Sequence, residues 1–251
     1  MRIANAGRHA RKGLVAVAAW ALATACLAGS AGLPATTSWT TTGAPSPTFK
    51  AAGLAGDAMS EDVRHVATWA VHSGDHGALP FVVVDKENGQ LYVFDGAGRM
   101  RGTAPALVGA ARGDHTVPGI GNRKISSILP EERTTPAGRF LARMGTGPSG
   151  EDLLWVDYEG AVAIHRVVTN VPKERRLQRL ESRVARDRRI TYGCINVPVK
   201  FYEAVIAPMF REAGGVVYVL PETRPAQEVF GSYEVRESVT TRAPSLLPVS
   251  Q

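Results

Sequence analysis

The sequence predicts a mostly β domain with packed helices over residues 57–221 of a 251-residue chain. Three observations carry that prediction. Short apolar runs recur between strong turn signals, the pattern of strands joined by tight connections. Helical spacing of apolar residues marks the two ends of this region, with a third, charged stretch between them. The composition, 44% hydrophobic and 21% charged, is that of a globular protein and excludes a collagen-like or wholly disordered chain.

The elements follow in order. Residues 1–30 read as a signal peptide. Arg2, Arg8, Arg11 and Lys12 form a basic start without an acid, and Leu14 to Leu27 is apolar except for Thr24. That run is too short for a membrane span of about 20 residues. Small residues at Ala23-Thr24-Ala25 and Ala28–Ala31 offer cleavage sites, so the mature chain is expected in the periplasm or cell envelope. Leu22-Ala23-Thr24-Ala25-Cys26 resembles a loose lipoprotein box. In that case the signal ends at Ala25 and Cys26 carries a lipid anchor in a membrane. Residues 31–56, rich in Thr, Pro, Ser, Gly and Ala, read as a flexible tether.

From Ser60, Val63, Val66, Ala67, Ala70 and Val71 share one helical face, and Gly74 can end the helix. Phe81–Val84 and Leu91–Phe94 are strands around an Asn88-Gly89 hairpin turn. Further strands are expected near 100–108, 139–144, 153–158, 161–168 and 216–220. A last helix should start at Pro198, bury Phe201, Val205 and Met209, kink at Pro208 and stop at Gly214. Residues 222–251 read as a loosely ordered tail.

The chemistry gathers around Cys194. It follows Gly193 directly and precedes a helix start. Backbone N–H groups in such a turn can stabilise a thiolate or a tetrahedral oxyanion. His165 ends a predicted strand and can take the thiol proton. Cys26 and Cys194 are the only cysteines, so neither a disulfide framework nor a cysteine zinc site is available. His72, His76 and His115 lack close ligand spacing, and no metal or cofactor is expected.

These residues resemble the L,D-transpeptidase family (YkuD domain). The matching features are His165, then Thr191-Tyr192-Gly193-Cys194-Ile195-Asn196, together with Thr135-Pro136-Ala137-Gly138-Arg139-Phe140 and the hairpin at 80–95. The resemblance covers about 80–220. It implies a β-sandwich-like domain in which Cys194 attacks a peptidoglycan stem peptide. His165 would be base and then acid, oriented by the backbone carbonyl of Arg166. The N–H groups of Tyr192, Gly193 and Cys194 would form the oxyanion hole, with Thr191 and Asn196 shaping the turn or contacting the donor stem. Tyr192 stands where the family usually has His, and a phenol cannot carry a proton at neutral pH as imidazole can. A stem amine, a protein amine or water could be the acceptor. A non-catalytic wall-binding module is the rival from another class. The chain is expected to be a monomer.

The charge of +6 is unevenly placed. Without the four basic residues of the leader it is +2, and residues 173–189 alone carry +5. That segment is expected to be one amphipathic helix with a Leu177, Leu180, Val184 stripe. Arg188 and Arg189 would then bind stem carboxylates. Basic and aromatic residues are not interleaved, which argues against a nucleic-acid partner.

Overall fold

The computed structural model describes residues 59–235. The expected signal peptide, Cys26 anchor and tether lie outside the described residues.

The first helix, α1 (Glu61–Ser73), is bounded as its sequence requires. Ser60 caps it by accepting the Val63 N–H, Glu61 and Asp62 sit in its first turn, and Gly74 leaves in the left-handed region at φ 72°. Ten strands follow: β1 (Phe81–Asp85), β2 (Gln90–Phe94), β3 (Met100–Pro105), β4 (Val108–Gly109), β5 (Gly138–Thr146), β6 (Asp152–Asp157), β7 (Val162–Arg166), β8 (Arg189–Thr191), β9 (Ile195–Val197) and β10 (Gly215–Val219). Eight form one mixed sheet in the order β3-β2-β1-β10-β5-β6-β7-β9, and β4 pairs with β8. The β1–β10 and β7–β9 pairs are parallel.

The domain is mostly β with packed helices, as expected, and its large mixed sheet curls almost to closure. β5 carries the turn, pairing with β10 over residues 138–142 and with β6 over residues 143–146. Leu107, just past β3, exchanges both backbone hydrogen bonds with Asn196 on the far edge strand, at 2.8 and 2.9 Å. β1 and β10 at the middle of the sheet are buried on both faces. Val82, Val84, Val217 and Val219 point into the inner core. Phe81, Val83, Val216 and Tyr218 point outward under α1. Each such side chain, fully buried, contributes about 1.5–3 kcal/mol.

The helix after Pro198 is also modified. It runs as α3 (Val199–Phe201), a π-helical stretch (Tyr202–Ile206) and α4 (Ala207–Phe210), ending near Gly214. Pro208 removes a donor from the ladder, and the widened π-helical turn lies just upstream of it. Tyr202, Ile206 and Phe210 form its fully buried face, while Phe201, Val205 and Met209 are only partly buried.

Residues 173–189 do not form one helix. α2 (Arg176–Glu181) is short because Arg175 before it is left-handed at φ 52°, and Ser182 after it is extended. Leu180 is buried, but Leu177 and Val184 are exposed. Beyond residue 221 the chain stays packed. In α5 (Ala226–Phe230), Phe230 stacks on Trp69 at 6.5 Å, and Ser232 bonds His65 at 2.8 Å. The loose tail expected from 222 therefore does not describe 222–235; 236–251 lies outside the described residues. Among the described residues no helix is long and apolar enough to cross a membrane.

Candidate active site

The β7–β9 pairing builds the site. Its parallel register sets Ile164 against Ile195 and His165 against Asn196. Side chains alternate along strands. Ile164 and Ile195 enter the core, so His165, Asn196 and the preceding Cys194 share the opposite face. Trp155, paired with Ala163, lies on the same face and stacks on exposed Tyr158 at 4.7 Å.

His165 is held at both ring nitrogens. Its Nδ1 lies 2.7 Å from the Arg166 carbonyl, which can only accept, so the proton sits on Nδ1 and Nε2 carries the lone pair. Nε2 lies 3.0 Å from Nδ2 of buried Asn196, which donates to it. Oδ1 of the same amide accepts from Nη1 of Arg176 at 2.8 Å, and Arg176 Nε donates to Glu174 at 2.6 Å. Arg166 contributes only its carbonyl. Its guanidinium pairs with Asp152 and Glu203 and lies over the Tyr202 ring.

Cys194 is half-buried, and its Sγ donates to the Ala161 carbonyl at 3.5 Å. Among the described residues no hydrogen bond joins Sγ to His165. Burial pushes the thiol pKa up, against a backbone hydrogen bond at Ala163 and the Arg176 charge. Burial also pulls the imidazole pKa down; the Arg166 carbonyl and Glu151 oppose this and Arg176 adds to it. Both trends favour a neutral thiol beside a neutral imidazole.

The cysteine loop is braced from behind. Gly193 has φ 135°, and a Cβ there would stand 2.8 Å from the Thr134 carbonyl. Buried Thr135 donates its hydroxyl to the Gly193 carbonyl at 2.7 Å and accepts the Gly109 N–H at 2.9 Å. Thr191 Oγ1 donates to the Cys194 carbonyl at 2.6 Å and accepts the Gly193 N–H at 3.2 Å. That bond withdraws Gly193 from the expected oxyanion donors and leaves the N–H groups of Tyr192 and Cys194. The Tyr192 ring lies 4.2 Å beneath the Arg133 guanidinium.

A buried ionic cluster supports the Thr135 segment. Lys86 Nζ donates to Asp114 at 2.9 Å, to Gly113 O at 2.7 Å and to Thr135 O at 2.9 Å. Burial pushes the Asp114 pKa up, but bonds from the Thr223 hydroxyl, Lys86 and the Glu222 and Thr223 N–H groups overcome it and hold the carboxyl well below its ordinary range.

The expectation for Arg188 and Arg189 is corrected. Buried Arg188 donates to the carbonyls of Asn88, Gly89 and Ser182. Arg189 pairs with buried Glu222 and bonds the carbonyls of Lys86 and Ala111. Both are committed to the fold. Arg176 is the arginine of the segment that reaches the site, and no helical period or local motif singles it out. Two of the other histidines are used elsewhere: His76 bonds the Ala70 and Gly96 carbonyls, and His72 bonds Tyr233.

No family model and no curated protein matches the chain. Among solved structures, it is similar to the fused Zn-dependent amidase/peptidase/peptidoglycan-binding domain-containing protein of Clostridium acetobutylicum. The identity is 14%, the match covers 65% of this chain and 65% of that one, and the TM-score is 0.32. The chain thus spans less than two thirds of that protein, and a likeness at this level carries no argument about function.

Proposed function

We propose that the chain is an exported cysteine acyltransferase acting on peptidoglycan stem peptides by L,D-transpeptidation. The observation that carries this reading is the β7–β9 register. It sets His165 beside Asn196, one alternation from Cys194, with Nδ1 on the Arg166 carbonyl.

In the reaction, Sγ turns from the Ala161 carbonyl and passes its proton to His165 Nε2, displacing the Asn196 amide. The sulfur forms a bond to the carbonyl carbon of the third stem residue. Charge collects on the carbonyl oxygen, where the Tyr192 and Cys194 N–H groups can meet it. The C–N bond then breaks, and the imidazolium returns the proton to the departing amine of D-Ala. The product is a thioester on Cys194. An acceptor amine attacks that thioester, loses a proton to His165, and frees the thiol. The basic start and short apolar run of residues 1–30 support export.

The test is D-Ala release from purified tetrapeptide stems. Wild type should release it and Cys194→Ala should not. Absence of release by wild type, with no thioester in the intact mass, would overturn the proposal.

A further inference from the structure

We propose that Arg176, supplied by the long segment between the two catalytic residues, is a positioning residue for the base His165 and acts through Asn196. The inference deepens the acyltransferase reading and rests on it for the word base. Its geometry is independent of that reading.

A side-chain amide can face either way round, and its partners decide. At Asn196 they decide unambiguously. A guanidinium can only donate, so Arg176 Nη1 at 2.8 Å fixes the neighbouring amide atom as Oδ1. Nδ2 is then the atom that faces His165 Nε2 at 3.0 Å. Arg176 therefore determines that Asn196 offers a donor to the base. A donor there requires the lone pair of a neutral ring, in agreement with the Nδ1 proton on Arg166 O. Glu174 completes the row by taking Arg176 Nε at 2.6 Å, so two bonds fix the guanidinium. Lysine could keep the charge but could not span both partners.

The arrangement holds His165 with its basic nitrogen outward and unprotonated until Sγ replaces the amide. It is also electrostatic. The charges acting on His165 are Arg176, against protonation, and Glu151, in favour of it; Arg176 is the charge acting on Cys194. The Arg166 side chain is turned to Asp152 and Glu203, and Glu174 acts through Arg176. Removing the Arg176 charge should therefore move both midpoints upward.

Two readouts need no peptidoglycan substrate. One is the pH titration of His165 by side-chain 15N NMR. The other is the pH dependence of iodoacetamide alkylation, followed on the peptide that contains Cys194. In Arg176→Gln both midpoints should move up, and D-Ala release should fall about 10²-fold, the cost of a misplaced catalytic group. Arg176→Lys should keep both midpoints near wild type yet lose most of the release rate. Asn196→Asp keeps the Arg176 bond but puts an acceptor beside Nε2, so the His165 midpoint should rise. Arg186→Gln, an exposed charge on the same segment, should change nothing.

Unmoved midpoints in folded Arg176→Gln, or an Arg186→Gln shift of equal size, would overturn the proposal. If Arg176→Gln does not fold, an unmoved His165 midpoint in Asn196→Asp does so. Loss of D-Ala release in wild type with shifted midpoints in the variants would defeat the acyltransferase reading and leave the positioning role standing.

Discussion

Replacing Thr135 by valine should loosen the cysteine loop from behind without touching Cys194 or His165. Thr135 is 1% exposed, and its hydroxyl serves both the Gly193 carbonyl at 2.7 Å and the Gly109 N–H at 2.9 Å. Valine has nearly the same shape and no polar atom, so a buried acceptor and a buried donor lose their partner together. Each unsatisfied group costs about 1–3 kcal/mol, which places the total at about 2–6 kcal/mol, the lower half applying if a water enters. Thr135→Ser keeps both bonds and loses one methyl, a cost near 1 kcal/mol. Urea unfolding at constant m reads the difference as a shift in midpoint. Acylation of Cys194 should fall in the valine variant and persist in the serine variant, because the hydroxyl holds the loop that carries Cys194 and the proposed oxyanion donors. A valine variant within about 0.5 kcal/mol of wild type, acylated at the same rate, would show that the hydroxyl braces nothing.

Gly193→Ala should also destabilise the loop, since it adds strain at φ 135° of about 1–3 kcal/mol and sets a Cβ against the Thr134 carbonyl. Acylation should disappear with a lowered urea midpoint, and a normal rate would show that the loop tolerates the change. Arg188→Ala with Arg189→Ala should lower stability by about 1–3 kcal/mol or more, because backbone carbonyls and buried Glu222 lose donors. An unchanged midpoint with a raised KM for the donor stem would return these arginines to the substrate. The pH profile of acylation should have its acid limb below 6.5, because burial lowers the His165 pKa. The rate is lost as falling pH protonates Nε2 and is full above that range; a limb above 6.5 would contradict a neutral base.

Local chemistry made much of the architecture legible. Ser60 and Gly74 bound α1 as cap residues do, and Asn88-Gly89 closes the first hairpin. His165 was readable as the end of a strand, and its carbonyl partner followed from the family resemblance. The features that escaped are those made by distant segments meeting. β8 and β9 have three residues each, too few for a period to emerge, and their pairing comes from β4 and β7. The closure at Leu107 joins residues 89 positions apart in the chain. The charged segment misled because its leucines have helical spacing, while the left-handed Arg175 and extended Ser182 confine α2 to six residues. Which of its eight basic residues meets Asn196, and which ones tie backbone carbonyls, depends on that broken path.

Everything proposed for the reaction depends on Cys194 forming an acyl-enzyme. Intact mass after incubation with a carbapenem, to which the resembled family is reactive, followed by mapping of the modified peptide, tests this step without a peptidoglycan substrate. One stable adduct is expected on the peptide containing Cys194 in wild type and none in Cys194→Ala. An unmodified wild-type mass, or an adduct that survives in Cys194→Ala, would contradict an acyl-enzyme at this cysteine.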